Sequence, residues 1–273
     1  MDEREASGAT VPTLGFGTYR LYGDECARAV RDALEMGYRH VDTAEFYDNH
    51  RSVGRGIAES SVDRADVFLT SKVWKTNLAA DQVHSMARKA LSELGSDYLD
   101  LLLIHGPNER VPIEETIGAM NELQGEGAVN HIGVSNFSVS QLEDAMAASQ
   151  TPIVTNQVEY HPRNRQDDLL EFALENDVLL TAYSPLGKGS IPDEPVLRSI
   201  GDRYGKTPAQ VALRWLVQQP NVLVIPKAAT RDHRYENAQV FDFSLSEDEM
   251  RAIFDLGGPG ADRILQMFDQ YDT

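Results

Sequence analysis

The strongest constraint on this chain is an alternation running its whole length: short apolar runs recur eight times, each followed by a stretch with helical spacing. The runs that read as strands are Leu14 to Gly17, Arg39 to Asp42, Val67 to Ser71, Leu99 to Ile104, Val129 to Val134, Ile153 to Gln157, Val178 to Tyr183 and Val222 to Ile225. Between them, Cys26, Val30, Ala33 and Leu34 share a helical face before Gly37, as do Val83, Ala87, Ala90, Leu91 and Leu94 before Gly95, so each glycine falls where a C-cap belongs. Pro112 marks a helix start, and Ser138 with Gln141, Thr207 with Gln210 and Ser246 with Glu249 read as capping boxes. Eight such units, with strands apolar on both faces, predict an α/β protein: a (β/α)8 barrel folded as one domain over residues 1–273. An open doubly wound sheet is the competitor. Its fingerprint is missing, because Gly15-Phe16-Gly17-Thr18-Tyr19-Arg20 lacks the third glycine of a dinucleotide turn.

Charge narrows the partners. With 25 basic and 43 acidic residues the chain carries a formal −18, which argues against nucleic acid and anionic membranes. The basic residues are nineteen arginines and six lysines, and the acids are spread along the chain, a pattern like that of halophilic proteins. The single cysteine, Cys26, excludes an internal disulfide and reads as a helix-face core residue. No apolar run approaches a membrane span, and the acidic start MDEREASGAT does not read as a secretory signal, so a cytoplasmic protein is expected.

In barrels of this kind, chemistry is built from the C-terminal ends of the strands. Here those ends carry Tyr19, Asp42 with Tyr47, Lys72 with Trp74, His105, Ser135 with Asn136, Gln157, Tyr183 with Ser184, and Lys227. Taken singly, each is more often a cap, a solvated charge or a satisfied core group. Together, an aspartate, a lysine, a histidine and a tyrosine on adjacent strand ends make a proton-donating device. A phenol with an ordinary pKa of about 10 needs help from a cation, which Lys72 would supply while Asp42 holds it; His105 would hydrogen-bond a substrate oxygen. That set suits reduction of a carbonyl. It suits a metal site poorly, since His40-x-Asp42 is not a paired-histidine motif, and His40, His50, His84 and His161 read as structural or surface residues.

The segments Gly37-Tyr38-Arg39-His40-Val41-Asp42-Thr43-Ala44, Ser71-Lys72-Val73-Trp74, Tyr98-Leu99-Asp100-Leu101-Leu102-Leu103-Ile104-His105, Ile132-Gly133-Val134-Ser135-Asn136-Phe137 and Ile225-Pro226-Lys227 resemble the aldo-keto reductase family, from about Thr13 to about Leu245. The resemblance implies a barrel that binds NADP(H) and a catalytic set of Asp42, Tyr47, Lys72 and His105, with Tyr47 as general acid. It implies that Ser135, Asn136 and Gln157 hold the nicotinamide carboxamide, that Tyr183 stacks on the ring, and that the loop from Ser184 through Leu186 to Ser190 passes over the pyrophosphate. Lys227, Glu236 and Asn237 match contacts to the adenosine end, and Tyr19 and Trp74 match walls of the substrate pocket. A monomer is the family's common state.

Two departures matter. Where the family commonly has a serine and then an arginine for the 2′-phosphate, this chain has Ala228 and His233, so Thr230, Arg231 or Arg234 would have to compensate, and NAD(H) becomes possible. Where many members place a large aromatic after the histidine, this chain has Gly106, which should widen the pocket, with Pro107 and Asn108 at its rim. The segment from about 257 reads as a short flexible tail whose Met267, Phe268 and Tyr271 help shape that pocket. The competing functions are a non-catalytic nicotinamide-nucleotide sensor or regulatory subunit, and a lyase or isomerase using Lys72 as a Schiff base.

Overall fold

The computed structural model describes residues 2–268 and 271. All eight expected strands are present, as β3 (Phe16–Gly17), β4 (His40–Asp42), β5 (Phe68–Val73), β6 (Leu99–Ile104), β7 (Val129–Ser135), β8 (Ile153–Glu159), β9 (Leu179–Tyr183) and β10 (Val222–Val224). They pair in parallel in sequence order. The sheet closes on itself where Leu14 bridges Val224 and Gly15 N–H donates to the Val224 carbonyl at 2.8 Å. Gly133 shows how tight the interior is: a Cβ there would come within 2.7 Å of Leu103 and 2.8 Å of the Thr155 carbonyl oxygen, beside the register shift between β7 and β8.

Helices α1 (Gly23–Glu35), α2 (His50–Ala58), α3 (Ala80–Leu94), α4 (Ile113–Gly125), α5 (Val139–Ala148), α6 (Asp167–Glu175), α7 (Pro195–Tyr204), α8 (Pro208–Val217) and α9 (Arg231–Ala238) cross over outside the strands, followed by α10 (Glu247–Phe254) and α11 (Ala261–Phe268). All three capping boxes form, at α5, α8 and α10, and Gly95 takes the left-handed C-cap of α3 (φ +65°). Among the described residues no helix is long and apolar enough to cross a membrane.

Two elements escape the sequence reading. The N-terminal segment is a hairpin, β1 (Glu3–Ala6) and β2 (Ala9–Pro12), turning on left-handed Ser7 and Gly8. Its Ala6, Ala9 and Val11 pack with Leu101, Val154, Leu179 and Leu223, so it plugs the barrel floor opposite the strand ends that bear the polar groups. The segment from Gly257 is also corrected: it is not a loose tail but carries α11. Ile264, Leu265, Met267 and Phe268 are buried there, and Phe268 extends an aromatic row through Phe254 and Trp215 to Tyr160. Residues 269, 270, 272 and 273 lie outside the described residues.

Candidate active site

The strand ends enclose a cleft of about 600 Å³. Asp42 is the last residue of β4 and Lys72 lies near the end of β5, so the register that aligns these strands brings the two side chains together. The Lys72 ammonium donates to Asp42 Oδ1 at 2.5 Å, to the Thr43 carbonyl at 2.9 Å and to the Tyr47 hydroxyl at 3.4 Å. Both ions are 1% exposed. The second Asp42 oxygen accepts from Gln157 Nε2 at 2.8 Å, which ties β8 to the same pair across the barrel. Tyr47 hangs from a single 3-10 turn, Glu45–Tyr47. Its ring stands edge-on to His105, 5.7 Å between centroids, and 5.0 Å from Tyr19.

Electrostatics here depart from the sequence expectation. Burial, the Asp42 carboxylate and Tyr19 push the Tyr47 phenol well above its ordinary range. Burial holds the Lys72 ammonium below its usual range, against the pull of Asp42. His105 is pushed down to about 3 by burial and by Lys72, so its ring is neutral at pH 7, and its Nδ1 is buried without a hydrogen-bond partner. Neutral phenol, neutral imidazole and an internally balanced ion pair therefore share one wall.

Amides and a hydroxyl line the adjoining part of the cleft. Asn136, left-handed at φ +63°, donates from Nδ2 to the His105 carbonyl and the Ser135 hydroxyl, each at 3.0 Å, and accepts from the Tyr183 hydroxyl at 2.9 Å. Ser135 donates onward to the Gln157 carbonyl at 2.8 Å. Arg20, Asp48 and Ser184 are also left-handed, so strained backbone clusters just past the strand ends. Ser184 and Lys227 line the cleft, whereas Leu186, Glu236 and Asn237 do not. Of the substrate-wall candidates, Tyr19, Trp74, Gly106 and Pro107 line it; Asn108 instead donates to the Lys75 carbonyl at 2.7 Å and lines a smaller neighbouring hollow. A Cβ on Gly106 would meet nothing within 4 Å, which is the extra room expected of glycine there. Met267 and Tyr271 line a separate hollow with Glu171 and Arg263, and Phe268 is core, so the pocket-shaping role expected of them is corrected. Sequence reasoning missed Phe46, which stacks on Trp74 at 4.1 Å and 17°. Only its place beside Tyr47 hinted at it.

The four histidines read from sequence as structural or surface residues have local partners: His40 meets Thr70, His50 meets Ser71, His84 meets Glu122, and His161 lies 3.9 Å from Glu159. Cys26 is buried, and burial pushes its thiol up to about 12.

A barrel with this constellation at its mouth has close known counterparts. The sequence profile described as Aldo/keto reductase family matches residues 13–257. The chain belongs to the aldo/keto reductase family. It is an oxidoreductase. Bacillus subtilis glyoxal reductase is 38% identical to it over 265 residues, covering 95% of each chain. The crystal structure of a putative 2,5-diketo-D-gluconic acid reductase B superposes with a TM-score of 0.93 at 47% identity, over 96% of this chain and 93% of the other. The Bombyx mori aldo-keto reductase, solved in complex with NADP, gives a TM-score of 0.87 at 31% identity, over 95% and 94%.

Proposed function

We propose that this protein reduces aldehydes, ketones or sugar carbonyls with NADPH, Tyr47 serving as the proton donor. The observation that carries the reading is that Tyr47, Asp42 and His105 line one cleft, with Lys72 bonded to Asp42 and Tyr47, although the four come from three different strand ends. The donor set fits the cofactor. Two amides and a hydroxyl, on Asn136, Gln157 and Ser135, suit a carboxamide, the planar Tyr183 ring lies beside them, and three of the six lysines, Lys75, Lys188 and Lys227, line the cleft of a strongly acidic protein.

When bound, the reduced nicotinamide supplies a hydride to the carbonyl carbon. The protein's part is the other half of the reaction. Tyr47 keeps its proton through the neutral range and so begins as a loaded acid. As that proton passes to the carbonyl oxygen, phenolate character develops 3.4 Å from the Lys72 ammonium, where the cation stabilises it in the transition state more than in the ground state. Neutral His105 offers one N–H to the same oxygen without competing as a stronger acid. Tyr19 and Trp74 bound the substrate's apolar part.

At the adenosine end the compensation narrows. Arg234 points inward, donating to the Ala228 and Ala229 carbonyls and to Asp32, and Thr230 caps α9 by accepting from His233 N–H. Lys227 and Arg231, both exposed, are left to meet the 2′-phosphate. Lys227→Ala is expected to weaken NADPH by about 1.5–3 kcal/mol, a KM increase of roughly tenfold to a hundredfold, with little change for NADH. Steady-state kinetics with both cofactors decides it, and equal losses would remove Lys227 from phosphate recognition.

The decisive assay is NADPH oxidation, followed by absorbance, against a panel of aldehydes. NADPH binding with no turnover on any of them would favour the sensor reading. A Schiff-base role for Lys72 is disfavoured, since its three donors are occupied and it is buried. The reading extends to a cytoplasmic, monomeric, salt-adapted protein. Screening should relieve self-repulsion at −18, so the melting temperature is expected to climb between dilute buffer and molar salt; a flat response would reject salt adaptation.

A further inference from the structure

The turn that carries the phenol is too short to hold itself. Its internal bonds are Tyr47 N–H to the Ala44 carbonyl at 3.0 Å and Asp48 N–H to the Glu45 carbonyl at 3.2 Å, and it ends on left-handed Asp48. Downstream, Asn49 anchors it by accepting from the Thr43 hydroxyl at 2.7 Å and donating to the Thr18 and Leu21 carbonyls. On the side facing the loop after β5, the polar tie is Glu45. One carboxylate oxygen accepts the Trp74 backbone N–H at 2.8 Å and the other accepts Asn77 Nδ2 at 2.5 Å. With that tie in place, Phe46 lies flat on Trp74, and the Trp74 and His105 rings meet edge-to-face, 5.0 Å between centroids.

We propose that Glu45 is a positioning residue. Its carboxylate fastens the Tyr47 turn to the Trp74 loop and so fixes the gap between the phenol and the Phe46–Trp74 wall, which grips flat, ring-bearing carbonyl compounds. A carboxylate suits the task because it is an acceptor with two oxygens: it satisfies a backbone donor just past a strand end and an amide at the same time. Phe46 is 52% exposed and lines the cleft, and Gly106, next to His105 in the same cleft, leaves open space where a side chain would stand. The inference rests on Tyr47 being the acid.

The test compares Glu45→Ala, Glu45→Gln and Asn77→Ala in the full chain, with benzaldehyde and glyoxal as substrates. Misplacing a reacting group costs rate steeply, so Glu45→Ala is expected to raise KM for benzaldehyde about tenfold or more, raise that for glyoxal much less, and leave the NADPH dissociation constant within about twofold. Glu45→Gln keeps an acceptor oxygen for the Trp74 N–H and should return KM to within about threefold of the parent, with Asn77→Ala falling between the two. Tryptophan emission reads the clasp without turnover: of the two tryptophans Trp215 is fully buried, so easier quenching by acrylamide in Glu45→Ala reports Trp74. An unchanged benzaldehyde KM, a parallel loss of NADPH affinity, or a glutamine variant as impaired as the alanine would each overturn the proposal. Should Tyr47→Phe keep its activity while the emission change persists, the clasp stands as structure and the acid assignment alone falls.

Discussion

Tyr47→Phe is expected to bind NADPH nearly as the parent does and to lose aldehyde-dependent NADPH oxidation by a factor on the order of 10² to 10⁴, the usual worth of a positioned general acid. The substitution removes one oxygen and leaves the ring between Tyr19 and His105, so a fall in kcat without a fall in cofactor affinity isolates the proton. The pH behaviour follows from the direction of the phenol's shift. Because its pKa is raised, the protonated form needed for reduction persists through the neutral range and is lost only in alkali. Alcohol oxidation needs the phenolate, so in the parent its rate should rise with pH where reduction falls. His105, pushed down to about 3, stays neutral and adds no ionisation between pH 5 and 9. A Tyr47→Phe enzyme that still turns over aldehyde, with the same pH profile, would assign the acid to another group.

The barrel was legible because burial on both faces writes itself into each strand as a continuous apolar run, and because capping boxes such as Ser138 with Gln141 depend only on neighbours in sequence. The site residues were legible as polar interruptions at the ends of those runs. What escaped depends on long-range contact. The β1–β2 hairpin alternates weakly, as Glu-Arg-Glu-Ala, and only the barrel floor it covers makes Val11 a core residue. The glycines and proline from Gly257 suggested looseness, yet Arg165 donates to the Gly258 carbonyl at 2.8 Å and α11 has a buried face to dock. Sequence shows a cation and an anion beside the phenol, but not the burial that, with the Asp42 carboxylate, holds the resting Tyr47 phenol above its ordinary range. Phe46 and Glu45, just before the acid on its own turn, carry no sequence signal, because their roles come from the Trp74 loop packed against them.

The buried Lys72–Asp42 pair predicts the other large effect. Lys72→Met keeps most of the unbranched side chain and deletes its charge, leaving the Asp42 carboxylate buried with Gln157 Nε2 as its remaining side-chain donor. Removing one partner of a buried pair costs about 3–5 kcal/mol, so the melting temperature should fall by roughly 6–20 °C for a protein of this size. The loss arises because the Asp42 carboxylate stays inside the protein with no cation beside it. Asp42→Asn combined with Lys72→Met removes both charges and is expected to regain most of the lost stability, yet not the activity, because the phenolate would then develop with no cation beside it. Calorimetric melts of the single and double variants at pH 7 test this. A single variant as stable as the parent at pH 7, or a double variant no better than the single, would mean that the ion pair is not what holds these two strand ends together.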